Sequence, residues 1–164
     1  MIKIILFGII LLAVVFIFLL FSSSMGAMPK AKTIDGISEK ISIQTDEGEL
    51  NIMLLSENSD NPVLLVCGGG PGIPQYLLEY MYPSVLPEEF TVCYWDYRGT
   101  GLNYRKDVDS TEMTTDRYIK DTVAVTDYLS ARFFCDKIYI MGHSFGTYIA
   151  LKTVQSHPDK YVCF

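Results

Sequence analysis

Residues 137–146 read Lys137-Ile138-Tyr139-Ile140-Met141-Gly142-His143-Ser144-Phe145-Gly146. The first five form a short apolar run of strand character, and beyond Gly146 the residues Tyr148, Ile149, Leu151 and Val154 recur at helical spacing until Pro158 ends the pattern. A strand that passes into a helix through G-x-S-x-G has the form of a nucleophile elbow. The two glycines lack Cβ atoms and permit a tight turn, which presents the serine on strained backbone at the helix N-terminus. There the positive end of the helix dipole and the N–H of Phe145 can stabilise an oxyanion. Ser144 is therefore the candidate nucleophile, with Gly142 and Gly146 supporting its turn.

Working outward, Pro62–Cys67 and Phe90–Trp95 are apolar on both faces, as expected of strands covered by helices on two sides. Helices are predicted around Gln75–Tyr82 and over Thr115–Phe133. The latter has Thr114 or Thr115 as cap, Asp116 in its first turn, and Tyr118, Thr122, Val125 and Leu129 on one stripe. Ile37–Thr45 and Leu50–Ser56 flank a polar turn at 46–49 and read as an antiparallel hairpin of edge strands. The strand–helix alternation that follows implies an α/β fold with a mostly parallel sheet and right-handed crossovers.

In such a sheet ligands bind beyond the carboxyl ends of the strands. Two further turns occupy that position. Cys67-Gly68-Gly69-Gly70-Pro71-Gly72 can bend close to a site and aim an N–H at developing negative charge; it matches neither G-x-G-x-x-G nor G-x-x-x-x-G-K-[ST], which argues against phosphate binding. Trp95-Asp96-Tyr97-Arg98-Gly99-Thr100-Gly101 places Asp96 and Arg98 where they can pair with each other or bond to neighbouring loops, a bracing role.

In this order the three turns resemble the α/β-hydrolase family, most closely its prolyl iminopeptidase-like branch, with its H-G-G-P-G loop, D-Q-R-G-x-G stretch and G-G-S-W-G elbow. Gly69, Gly70, Pro71 and Gly72 match the first motif; Asp96, Arg98, Gly99 and Gly101 the second; Gly142, Ser144 and Gly146 the third. The departures are Gly68 for His, Tyr97 for Gln, and His143 and Phe145 for Gly and Trp. The resemblance covers about Ile37 to Phe164. It implies a serine hydrolase acting on a small peptide or ester through an acyl-enzyme, with the Gly70 and Phe145 N–H groups as the oxyanion hole. No metal or organic cofactor is implied.

A serine hydroxyl needs a base oriented by a carboxylate, and in this fold the acid and the histidine follow the serine in the chain. Only 20 residues follow Ser144. His157 lies 13 residues on, at the far end of the same helix, about 20 Å away at 1.5 Å per residue. The elbow turns the side chain of His143 away from its neighbour. Tyr161-Val162-Cys163-Phe164 reads as the opening of another strand, so the chain is expected to be an N-terminal piece, truncated after the elbow helix. The resemblance implies that further strands, a substrate-covering cap, the acid and the base should follow. A non-catalytic, membrane-tethered interaction module is the alternative.

The 164 residues include 13 Lys and Arg against 19 Asp and Glu, a formal charge of −6, which argues against a nucleic-acid partner. Ile4 to Phe21 is an uncharged apolar run of 18 residues, about 27 Å as a helix and close to a bilayer core. The expected organisation is a transmembrane anchor or signal-anchor over 1–21, a linker over 22–33 and a partial α/β-hydrolase domain over 34–164, with the catalytic part outside the cytoplasm. Cleavage near Ser22–Ala27 stays open. Cys67, Cys93, Cys135 and Cys163 have no metal-binding spacing and read as buried free thiols. Oligomeric state is not legible.

Overall fold

The computed structural model describes residues 8, 10–16, 30–46, 48–106 and 109–163. Five strands form one sheet: β1 (Ile37–Thr45), β2 (Gly48–Ser56), β3 (Val63–Cys67), β4 (Thr91–Trp95) and β5 (Tyr139–Gly142), in the spatial order β1-β2-β4-β3-β5. The hairpin is antiparallel, closes at Gly48 with φ 108, and continues antiparallel from β2 to β4; β4, β3 and β5 are mutually parallel. One expectation is corrected here. Only β1 is an edge strand of the hairpin, because β2 is paired on both sides and is buried throughout residues 52–56.

The side-chain alternation of the buried strands builds two cores. On one face Ile52, Leu54, Val63, Leu65, Cys67, Cys93 and Trp95 pack with Tyr118, Val125 and Leu129 of α3 (Thr115–Phe133) and Ile149 of α4 (Phe145–Ser156). On the other, Met53, Leu64, Val66, Val92 and Tyr94 meet Tyr76 of α1 (Gln75–Met81), with Leu86 of the short α2 (Leu86–Glu89) packed against them. Each fully buried Val or Leu contributes roughly 1.5–3 kcal/mol, so the adjacent strands β3 and β4, each buried at all five positions, form the structural centre.

Helix α3 has the predicted bounds. Thr114 Oγ1 accepts from the Arg117 N–H at 3.2 Å, Asp116 and Arg132 suit the two dipole ends, and left-handed Phe134 (φ 51) terminates it. The predicted strand Lys137–Met141 is shifted to Tyr139–Gly142. Ile138 instead makes an isolated parallel bridge to Tyr161, with Ile138 N–H donating to Lys160 O (3.1 Å) and Val162 N–H to Ile138 O (2.9 Å). Strand pairing thus starts at the expected place, but exposed Val162 and Cys163 lie outside any ladder. Cys135 is half-buried, so the expectation of buried thiols holds for Cys67 and Cys93 alone; all four are free.

Residues 10–16 are helical and exposed, and among the described residues no helix is long and apolar enough to cross a membrane. The expected anchor, Ile4–Phe21, lies in large part outside the described residues. Most of the expected linker does too. Its end is already attached to the fold: the Lys32 and Thr33 N–H groups donate to Glu57 Oε2 at 2.6 and 3.1 Å.

Candidate active site

Strand β5 ends at Gly142 and helix α4 begins at Phe145, one residue later than predicted, leaving Ser144 as its cap. Ser144 has φ 52 and ψ −120, in the left-handed half of backbone space that residues bearing a Cβ rarely adopt. The turn is drawn tight by His143 N–H donating to Cys67 O (3.0 Å), Gly146 N–H to His143 O (2.9 Å) and Thr147 N–H to Ser144 O (3.0 Å). Gly146 is required by proximity: a Cβ there would strike the Cys67 carbonyl and lie 2.5 Å from that of Gly68. The helix front therefore rests directly on the end of β3. Ser144 is exposed, and among the described residues no carbonyl accepts from the Phe145 N–H.

The glycine loop after β3 comes to the same place. A Cβ on Gly69 would sit 3.1 Å from Ser144 Cβ and 2.7 Å from His143 Nδ1, so this α-carbon lies against the elbow. The peptide leaving Gly69 carries the Gly70 N–H. Gly70 itself turns at φ 33, and its carbonyl accepts from the Ile73 N–H at 2.9 Å. Pro71 and Gly72 carry the loop into α1. His143 is exposed, its ring over Gly69, and His157 caps the far end of α4 with Nδ1 2.9 Å from Ser156 Oγ.

The third turn braces the other two by means the sequence only half indicated. Asp96 and Arg98 do not pair with each other. Arg98 reaches across to Asp121 of α3 through two bonds, Nη2 to Oδ1 at 2.8 Å and Nε to Oδ2 at 3.1 Å, both side chains being buried. Asp96 takes the other expected course and bonds to a neighbouring loop: Oδ2 accepts from the Leu102 N–H at 2.9 Å. Burial pushes the Asp96 carboxyl up to about 6, against the opposing backbone donors of Leu102 and Gln75. A Cβ on Gly101 (φ 47) would collide with this carboxylate, which accounts for a glycine there.

Two contributors were not singled out from the sequence. Tyr97 donates its hydroxyl to Gly68 O at 3.0 Å, and its ring meets Phe145 edge-on with centroids 5.8 Å apart. It thereby joins the glycine loop to the front of α4. Asn103 stitches the third turn to β2, accepting from Asn51 N–H at 2.6 Å and donating to Asn51 O at 3.1 Å and Asp96 O at 2.6 Å. A polar residue in a loop that is itself buried (Asn103, 4% exposed) is the kind of signal a sequence does not display. A pocket of about 470 Å³ between Gly72, Tyr76, Leu102 and Lys40 adjoins the first and third turns, though Ser144 does not line it. Among the described residues no group of three or more His, Cys, Asp and Glu is arranged for a metal ion.

A sheet of this order with a strained serine between β5 and its following helix defines an α/β-hydrolase. The comparisons agree on the fold and refine it. A family model described as serine aminopeptidase, S33, matches residues 78–164. The chain is 40% identical over 139 residues to the probable aminopeptidase YbaC of Bacillus subtilis (strain 168), covering 84% of this chain and 42% of that protein. It is 28% identical over 117 residues to a proline iminopeptidase of Heyndrickxia coagulans, covering 71% of this chain and 38% of that one. Among solved structures, a proline iminopeptidase-related protein from Thermus thermophilus superposes with a TM-score of 0.62 at 26% identity, over 77% of this chain and 44% of the other. A carboxylesterase from Bacillus subtilis, at 19% identity with a TM-score of 0.59, covering 85% and 42%, shares the fold alone. The chain belongs to the serine aminopeptidase S33 family of hydrolases. It spans less than half the length of these relatives.

Proposed function

We propose that this chain carries the nucleophile and oxyanion hole of a membrane-anchored serine hydrolase of aminopeptidase type, acting on a small peptide or ester. The observation that carries this is Ser144 at φ 52 and ψ −120, exposed on the turn between β5 and α4, with the Gly69 backbone against it. Ser144 Oγ attacks the substrate carbonyl, and the Gly70 and Phe145 N–H groups receive the oxyanion of the tetrahedral intermediate. Collapse of that intermediate expels the amine or alcohol and leaves an acyl-enzyme, which water then hydrolyses. The Ile4–Phe21 run supplies the anchor, with the folded part outside the cytoplasm.

The proton from Ser144 has no acceptor among the two histidines, since His143 packs over Gly69 and His157 lies at the opposite end of α4. Among the described residues no side chain bonds to the Ser144 hydroxyl, and we place the base and its orienting carboxylate in the part of the relatives' length that this chain does not match. The chain by itself then turns over roughly 10⁴-fold or more slowly than an intact relative. The same observation favours a second reading, a tethered module that keeps the fold without turnover.

A fluorophosphonate probe, a p-nitrophenyl ester and a prolyl arylamide, each with wild type and Ser144→Ala, separate these. Slow labelling that depends on Ser144, with negligible turnover, is expected. Robust turnover abolished by Ser144→Ala overturns the assignment of the base. A stable, monodisperse and unlabelled chain that holds a partner favours the second reading.

A further inference from the structure

Gly68, Gly69 and Gly70 are consecutive residues without side chains, so nothing within this loop fixes which way its peptides face. Its orientation is imposed at the carbonyls. Cys67 O accepts from the His143 N–H at 3.0 Å and Gly70 O from the Ile73 N–H at 2.9 Å, which secures the two ends. Between them Gly68 O accepts from the Tyr97 hydroxyl at 3.0 Å, a bond that reaches in from the third turn. The 69–70 peptide, which carries the Gly70 N–H, is thus flanked by the plane that Tyr97 holds and the plane that Ile73 holds. Gly68 and Tyr97 are also two of the departures from the prolyl iminopeptidase-like motifs, standing for His and Gln, and here they are bonded to each other. A Cβ at 68 would strike Gln75 Cγ and lie 3.0 Å from its Cδ, so the first side chain of α1 occupies the space that a side chain at 68 would need. The loop takes its polar anchor from Tyr97 instead.

We propose that Tyr97 is the positioning residue of the oxyanion hole: its hydroxyl holds the 68–69 peptide so that the next N–H, that of Gly70, faces Ser144, and its ring packs on Phe145, whose N–H is the second donor. The proposal rests on the reading above that Ser144 is the nucleophile. The two donors belong to different elements, the loop after β3 and the front of α4, and Tyr97 touches both, so it sets the distance between them. It is suited to this because it is itself fixed. Tyr97 is 3% exposed, and its ring meets those of Trp95, Tyr118 and Phe145 at centroid distances of 5.0, 4.8 and 5.8 Å. The hydroxyl is the polar group that such burial would strand, and Gly68 O satisfies it. Burial, with Cys67 and Tyr118 adding to it, pushes the hydroxyl up, so it stays a donor at neutral pH. Without that bond the carbonyl of buried Gly68 loses a donor, and turning the 68–69 peptide toward water relieves the loss at little backbone cost between two glycines. The Gly70 N–H then turns away from Ser144 with it.

The test follows fluorophosphonate labelling of Ser144 in the full chain as a function of probe concentration. Tyr97→Phe keeps the ring and removes the bond. It is expected to lower the saturating labelling rate about three- to tenfold, the range that the net worth of one neutral hydrogen bond allows, with the half-saturating concentration unchanged, because an oxyanion donor acts on the transition state and not on probe binding. Tyr118→Phe removes a hydroxyl from the same ring cluster and is expected to label as wild type does. Hydrogen exchange of a peptide covering 68–74 reads the loop without any reaction, and is expected to be faster in Tyr97→Phe and unchanged in Tyr118→Phe. A Tyr97→Phe chain that labels within about twofold of wild type at saturation, or whose loss lies wholly in the half-saturating concentration, overturns the proposal. So does a loss equalled by Tyr118→Phe, which makes the effect one of packing. Wild-type labelling that is absent, or that survives Ser144→Ala, overturns the nucleophile instead, and loop exchange then decides Tyr97 by itself: faster exchange in Tyr97→Phe leaves its hold on the loop standing, and exchange at the wild-type rate removes it.

Discussion

Gly146→Ala adds one methyl at the tightest point of the structure. That carbon would fall 2.5 Å from the Gly68 carbonyl oxygen and nearer still to that of Cys67, where ordinary contact begins at 3.4 Å. Both obstacles are backbone, so α4 must withdraw from β3 by about 1 Å, an overpacking strain of roughly 1–3 kcal/mol. The withdrawal also stretches the 3.0 Å bond from His143 N–H to Cys67 O, about 1 kcal/mol more. A total of about 2–4 kcal/mol corresponds to roughly a 30- to 1,000-fold larger open population at 1.4 kcal/mol per tenfold. Native-state hydrogen exchange of a peptide covering 137–147 reads this directly, and labelling of Ser144 by a fluorophosphonate should fall with it. Gly72→Ala is the control, since a Cβ there meets nothing within 4 Å. If Gly146→Ala exchanges within about threefold of wild type, the close seating of the helix on β3 is wrong.

Arg98→Met leaves Asp121, which is 0% exposed, as an unpaired buried carboxylate and should destabilise by about 3–5 kcal/mol, read as protease resistance or a urea midpoint. The double variant Arg98→Met/Asp121→Leu should recover much of that loss. Asp96 has its carboxyl raised from 3.8 to about 6 in the fold, so its contribution is fully present below 3.8 and is lost as pH rises through 6. Over that window it should lower stability by about 3 kcal/mol, a slope that Asp96→Asn abolishes and that unfolding at pH 4, 6 and 7.5 measures. Of the thiols, Cys163 should react with a maleimide first. Cys67, buried and pushed up to about 12, should react only after unfolding, and equal rates would contradict its placement.

What the sequence displayed, and what it hid, divide along the range of the interactions. Strand β3, helix α3 and the elbow announce themselves because their signals are local: five consecutive apolar residues, a stripe of Tyr118, Val125 and Leu129, two glycines around a serine. Arg98 is different. Its partner, Asp121, sits 23 residues away on the buried stripe of a helix, where a charge is unexpected and where nearby Asp96 is the simpler partner to read. The hold of Tyr97 on Gly68 spans 29 residues and is likewise a product of the assembled sheet. Apolar residues of α1 such as Leu78 and Met81 would ordinarily face a core, and only coordinates show that Glu79 took the inner position, secured by Tyr94. The bounds of β5 moved because the backbone of Ile138 is shared with Lys160–Val162 on its other side.

The three turns leave the ends of β4, β3 and β5, which are immediate neighbours in the sheet. At about 4.8 Å between strands, everything that meets at Ser144 springs from a ledge about 10 Å wide. The scaffold below is fixed by apolar packing, and the turns share in it: Tyr97 belongs to the same core, Arg98 is held by buried Asp121, and Gly146 lies against the end of β3. Change that leaves the framework intact is therefore confined to the exposed rim of the ledge, such as Pro71 and Gly72, and a lineage built on it diversifies its chemistry from the rim rather than from the buried supports.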